Sequence, residues 1–259
     1  MTKRILILSL LLLPTLVSAK TLLFIQGFNE SGHVWRGSGI ASSLLNNGWG
    51  DGGHILHGEL PAWSSPSVGG GRDNTFYTLA LPTEAPIMVQ LAPLVMAVEK
   101  IKRDHPKESL TLVGHSVGGV LARMLLVQRP DLSVDTLISI ATPHLGTRMA
   151  ELGELVGDTP VSWMLPLMGA EEVNHANILF SELAREHPGS LLFWLNRQLH
   201  PAIRYISVVH TEDDVVIPPS QDMNRVVALA GKSEVVPLRG EHSLHFGDGL
   251  LLVDILQRK

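Results

Sequence analysis

No cysteine occurs in the 259 residues, so no disulfide can form and no thiol follows the N-terminal apolar stretch to take a lipid. Export without disulfides is allowed by this composition and not demanded by it. Clusters of Lys and Arg are also missing after residue 20, and the formal charge of −5 becomes −7 once Lys3 and Arg4 are removed. That balance argues against a nucleic-acid partner and leaves a small molecule or a lipid as the expected one. The N-terminal apolar run, Ile5 to Leu13, falls short of the roughly 20 residues needed to span a bilayer and is followed by Pro14. There is no internal repeat and no low-complexity tract.

What is present at the N-terminus reads as a secretory signal over residues 1–19. Lys3 and Arg4 form a basic start, Ile5 to Leu13 an apolar core, and Val17-Ser18-Ala19 a small-residue cleavage site. Cleavage there leaves 240 residues beginning at Lys20, enough for one α/β domain with an insertion. The expected location is periplasmic or secreted.

Apolar β-type runs at 21–25, 76–81, 109–113, 134–141, 204–210 and 233–238 alternate with helical patterns, which predicts a mostly parallel sheet with helices on both faces. Leu91, Leu94, Val95, Val98 and Ile101 mark one helix face, and Pro93 is expected in the first turn of that helix. Residues 38–71 are Gly-rich and read as surface loop with a short helix near Ile40 to Leu45. Residues 148–200 form a long apolar connection, read as a helical cap insertion over the site, either as the core of an extra helical layer, the preferred reading, or as a mobile lid that contacts membrane or lipid.

Gly114-His115-Ser116-Val117-Gly118 follows the apolar run at 109–113 and opens an amphipathic stretch that continues to Pro130. A serine between two glycines at a strand-to-helix turn is held in strained backbone geometry with its hydroxyl exposed. The turn also sets it at a helix N-terminus, where unpaired N–H groups favour negative charge on a substrate oxygen, so the Val117 N–H is one expected oxyanion donor. A serine hydroxyl needs an imidazole to take its proton and a carboxylate to orient that imidazole. Two later loops, each just beyond a strand, offer them: Asp213 and Asp214 after 204–210, and His242 and His245 after 233–238.

With these elements in the order Ser, acid, His, the chain resembles an α/β-hydrolase of the lipase/esterase group over most of its length outside the cap. Gly-His-Ser-Val-Gly-Gly is similar to the family's nucleophile elbow. Asp213-Asp214-Val215-Val216 is similar to its Asp-x-Val-Val loop, which selects Asp213, and Gly240-Glu241-His242-Ser243 resembles its G-x-H-S loop, which selects His242. Thr142-Pro143-His144-Leu145-Gly146-Thr147 resembles a T-P-H-x-G-S/T segment of bacterial lipases. The family commonly has His-Gly after its first core strand, where Gln26-Gly27-Phe28 stands here, and the resemblance implies the Phe28 N–H as the second oxyanion donor.

The expected activity is therefore cleavage of carboxylic esters, of small molecules or lipids, by Ser116, His242 and Asp213, with no cofactor required. A thioesterase, amidase or acyltransferase uses the same constellation, because fold and triad do not choose the leaving group, and the alternative from another class is a catalytically silent hydrolase-fold binding protein, which would need one triad position missing or displaced. His144 and His115 are expected to pack or hydrogen-bond locally, and Asp51, His54 and His57 to form an ordinary polar loop rather than a metal site. His33 and Trp35 are candidates for the pocket mouth to which no role is assigned.

Overall fold

The computed structural model describes residues 19–56, 73–147 and 170–258, with no side chains described for 170–176. Residues 1–18 of the expected signal, His57 and the first part of the expected cap, residues 148–169, lie outside the described residues. Seven strands form one sheet: β1 (Lys20–Ile25), β2 (Gly50–Ile55), β3 (Thr75–Leu79), β4 (Ser109–His115), β5 (Thr136–Ile140), β6 (Arg204–His210) and β7 (Ser233–Leu238). Their order is β2-β3-β1-β4-β5-β6-β7, and every neighbouring pair is parallel.

Alternation along the strands divides the apolar side chains between two cores. Leu23, Ile25, Leu79, Leu112 and Leu137 point to one face, where they meet α3 (Ile87–Asp104) and α4 (Val117–Gln128), together with Leu179 of α5 (Ala170–Leu183) and Leu192 of α6 (Leu191–Leu195). Leu22, Phe24, Val113, Ile138 and Ile206 point to the other, against α1 (Val34–Gly37), α2 (Ile40–Asn46) and the C-terminal helix α8 (Phe246–Gln257). A sheet apolar on both faces needs a helical layer on each, and the three-layer arrangement follows. Among the described residues no helix is long and apolar enough to cross a membrane.

The chain enters the sheet at β1, crosses to the edge at β2, comes back inward to lay β3 between β2 and β1, then places β4 on the other side of β1. This reversal is a topological switch point, where the loops leaving two adjacent strands diverge and open a crevice at their C-terminal ends. The register pairs Ile25 with Gly114, so Gln26-Gly27-Phe28 and His115-Ser116 leave the sheet side by side.

Three expectations change. The segment 38–71 contains the short helix, but Gly50–Ile55 is an edge strand, not loop. A ladder of main-chain bonds needs no side chains, and Gly53, at φ +101°, sits where the β2–β3 register shifts, a bulge that favours glycine. Pro93 lies in the middle of α3, because the helix begins at Ile87; burial of Ile87, Pro93 and Leu94 offsets the roughly 3 kcal/mol that an interior proline costs. Trp35 is fully buried, stacked on Phe24 at 4.5 Å, and does not line a pocket mouth, while exposed His33 stacks on His54 at 5.1 Å. At the far edge, β7 carries Pro237 opposite Val209 of β6, and its exposed Glu234 pairs with Arg204 and Arg258.

Because Trp35 is core, Trp35→Ala is expected to cost about 3–5 kcal/mol, read as a lower urea midpoint at unchanged slope. A pocket-mouth residue would instead change KM and leave the midpoint in place.

Candidate active site

Ser116 is the single residue between β4 and α4, with φ +49° and ψ −126°. That conformation costs a non-glycine residue about 1–3 kcal/mol and persists because its surroundings impose it. The Ser116 N–H donates to the Ile140 carbonyl at 2.9 Å, and its carbonyl accepts from Gly119 N at 3.1 Å. The flanking glycines are required by space: a Cβ on Gly114 would lie 2.5 Å from Gly119 N, and one on Gly118 would strike the carbonyl of Ile25.

Three loops then converge on the serine. His242 Nε2 lies 3.0 Å from Ser116 Oγ, and His242 Nδ1 lies 2.8 Å from Asp213 Oδ2. All three residues are buried, with Asp213 only 2% exposed. Its carboxylate is held on both oxygens. Oδ1 accepts from the N–H groups of Val215 at 2.9 Å and Val216 at 2.8 Å, and Oδ2 also accepts from Gln221 Nε2 at 3.0 Å. Gln221, in α7 (Pro218–Gln221), further bonds the Val216 carbonyl and the main chain of His210, so it ties β6 to the acid loop. Asp214 is exposed and takes no part. His245 is elsewhere as well: its Nδ1 caps α8 by accepting from Gly247 N at 3.0 Å, while Asp248 Oδ2 accepts from His245 N at 2.8 Å.

The two residues expected to supply oxyanion donors flank the serine. Val117 is the first residue of α4, where N–H groups have no carbonyl partner within the helix. Phe28 follows β1, and its ring meets Phe180 of α5 edge-on at 5.0 Å. The loop that carries Phe28 is secured by Glu30, whose carboxylate accepts the Gly27 N–H at 2.7 Å. The side chain of Gln26 is buried and makes no hydrogen bond among the described residues, so it is Glu30 that anchors this loop. A cavity of about 180 Å³ opens beside the serine, lined by Gly27, Phe28, Glu30, His115, Ser116 and His242 among others.

His115 does more than pack locally. Its Nδ1 lies 2.9 Å from Glu30 Oε2 and its Nε2 lies 2.9 Å from the His242 carbonyl, contacts that cross 85 and 127 residues. Burial opposes both charges, but the opposite charge and hydrogen bond of each partner outweigh it: the Glu30 carboxyl is held below its ordinary pKa and the His115 ring above its own. Nothing in the local sequence around Glu30 marks it, because its partner is a strand away. His144 is fully buried on Ser139 Oγ at 2.9 Å, and burial followed by the charge of Arg123 holds it well below the ordinary value, neutral in its turn. Burial likewise lowers Arg123 to about 9, where Asn196 and His200 accept from it.

Among the described residues one trio has metal-ligand spacing: His210, His245 and Asp248, with donor atoms within 4.8 Å. Most of its donors are already engaged: His245 Nδ1 accepts from Gly247 N, and only His245 Nε2 is without a hydrogen bond among the described residues. His210 bonds the Glu241 carbonyl through Nδ1 and Asp248 through Nε2, and the rings of His210 and His245 stack at 5.3 Å rather than converging their lone pairs on a point. Asp51 pairs with Arg36 at 2.7 Å and His54 Nδ1 lies 2.9 Å from Thr78 Oγ1, so these two lie on an ordinary polar edge.

A model of the α/β-hydrolase fold matches residues 20–197. No curated protein sequence matches the chain. Among solved structures it is similar to a metagenomic carboxyl esterase at 15% identity and TM-score 0.59, covering 92% of this chain and 75% of that one. The mature lipase BlEst2 of Bacillus licheniformis is similar at 13% identity and TM-score 0.55, with 93% and 91% covered. The lin2722 gene product of Listeria innocua aligns at 12% identity and TM-score 0.58, with 92% of each chain covered. Identities this low carry the fold alone, and the family match, over more than half the sequence, carries the rest: the chain belongs to the α/β-hydrolase family.

Proposed function

We propose that this protein is an exported serine hydrolase that cleaves carboxylic esters, of small molecules or lipids, through an acyl-enzyme. The observation that carries the reading is the continuous hydrogen-bonded chain from Ser116 Oγ through His242 to Asp213, at 3.0 and 2.8 Å, ending beside a cavity. Ser116 Oγ attacks the ester carbonyl while His242 Nε2 takes its proton. Asp213 keeps Nδ1–H pointed away from the serine and stabilises the imidazolium. The N–H groups of Val117 and Phe28 receive the oxyanion, whose charge also gains from the N-terminal end of α4. Collapse expels the alcohol with the proton from His242, and water, activated by the same imidazole, releases the acid.

None of these steps calls on a cofactor. Asp213 suits its role because four hydrogen bonds, from Val215, Val216, Gln221 and His242, saturate its oxygens and leave it one orientation. Export follows from residues 1–19, with the mature chain beginning at Lys20. The apolar connection 148–200 is the part that would touch a lipid surface.

A fluorophosphonate probe should label the wild type and fail to label Ser116→Ala; a folded wild type that stays unlabelled refutes the proposal. On p-nitrophenyl esters, Ser116→Ala and His242→Ala should each lower kcat by about 10⁴- to 10⁶-fold and Asp213→Asn by about 10⁴-fold. Asp214→Asn should stay near wild type, and a loss there equal to that of Asp213→Asn would reverse the assignment. Intact-mass measurement of protein recovered from outside the cytoplasm should give a chain starting at Lys20, and retention of residues 1–19 would exclude cleavage there.

A further inference from the structure

Glu30 and His115 stand outside the chain Ser116–His242–Asp213, yet they join two of the loops around it. One oxygen of Glu30, Oε2, accepts the Gly27 N–H at 2.7 Å and faces His115 Nδ1 at 2.9 Å. Across the same ring, His115 Nε2–H donates to the main-chain carbonyl of His242 at 2.9 Å. A carbonyl oxygen and an ionised carboxylate only accept, so a ring bonded to both carries a proton on each nitrogen. The linkage therefore runs from the amide of Gly27, through a carboxylate and an imidazolium, to the backbone of the residue whose side chain faces Ser116.

We infer that Glu30 and His115 are positioning residues, a carboxylate–imidazolium pair that holds the Gly27–Phe28 turn and the His242 backbone in one fixed relation. The inference rests on the serine-hydrolase reading above. In that reading the proton acceptor and one oxyanion donor come from different loops, and both must address the same carbonyl group. No direct bond between the two loops is needed, because Glu30 and His115 bridge them.

The surroundings suit a charged bridge. The His115 residue is 2% exposed, and its ring lies 5.3 Å from that of His242 and edge-on to Trp35 at 6.4 Å. The charged or titratable groups facing it are Glu30, Asp248 and His242, and those facing Glu30 are His115 and His242. Glu30 also lines the cavity, with its side chain 21% exposed, so the bridge forms part of the wall a substrate meets. The neighbouring carbonyl, that of Glu241, is held in the same way by His210, which leans on Asp248. Two successive carbonyls of the His242 loop are thus each gripped by a buried imidazole backed by a carboxylate. A pure packing role would need neither charge nor the two-sided hydrogen bonding.

The test combines a spectroscopic and a kinetic arm. In protein labelled with ¹⁵N-histidine near neutral pH, the His115 signals, assigned by their loss in His115→Gln, should show both ring nitrogens protonated, and Glu30→Gln should leave one protonated. Glu30→Gln keeps shape and removes charge. It should lower kcat on a p-nitrophenyl ester by about 10- to 100-fold, the scale of misplacing a catalytic group by about 1 Å. KM should stay within about twofold and the melting temperature should hold, because the loss falls on alignment and not on ground-state binding. Wild-type turnover in a folded Glu30→Gln, or a singly protonated His115 in the wild type, would overturn the inference. If Glu30→Gln fails to fold, the wild-type spectrum alone decides. Failure of the wild type to react with a fluorophosphonate sinks the serine-hydrolase reading instead, and the spectrum still reports on the pair.

Discussion

Everything at the site depends on where two parallel strands stop. β1 and β4 are paired through Ile25 and Gly114, and each releases its chain one or two residues later into the same crevice. The strained turn at Ser116 is affordable because the Ser116 N–H bonds to β5 and two glycines admit the neighbouring main chain. Shift that register by one residue and the serine would face the opposite side of the sheet, away from the loop carrying Phe28.

Around this point the chain spends buried charge with restraint. Three carboxylates, Asp213, Glu30 and Asp248, each bond an imidazole, of His242, His115 and His210 respectively. The remaining oxygens of Asp213 and Asp248 are occupied largely by main-chain N–H groups, which is how a buried carboxylate is kept without an arginine. Arg123, by contrast, sits among neutral acceptors in the helical layer beneath the segment 186–200, and burial lowers its pKa accordingly.

How much of this the sequence foretold follows from how local each signal is. Six of the seven strands were legible as apolar runs, because a sheet buried on both faces demands them. β2 was not: its residues are Gly-Asp-Gly-Gly-His-Ile, and what makes it a strand is the edge of β3 waiting beside it. Motif order and register named Ser116, His242 and Asp213, the three that share hydrogen bonds, while Asp214 is exposed. Gln221, Glu30 and the reach of His115 were illegible, since each acquires its meaning from a partner on another strand's loop. The burial of Trp35 was illegible because an aromatic in a polar loop looks the same in sequence whether it turns outward or inward.

The two irregular strands have a consequence beyond the site. An open parallel sheet offers a row of unpaired amides and carbonyls at each border, a ready template for a second molecule. Here one border carries the kink at Gly53, and the other carries Pro237, which has no amide proton to give, beside a Glu234 already claimed by two arginines. An intruding segment would find its ladder broken on either flank. Among the described residues, each border strand thus carries an irregularity of the kind that interrupts edge-to-edge pairing.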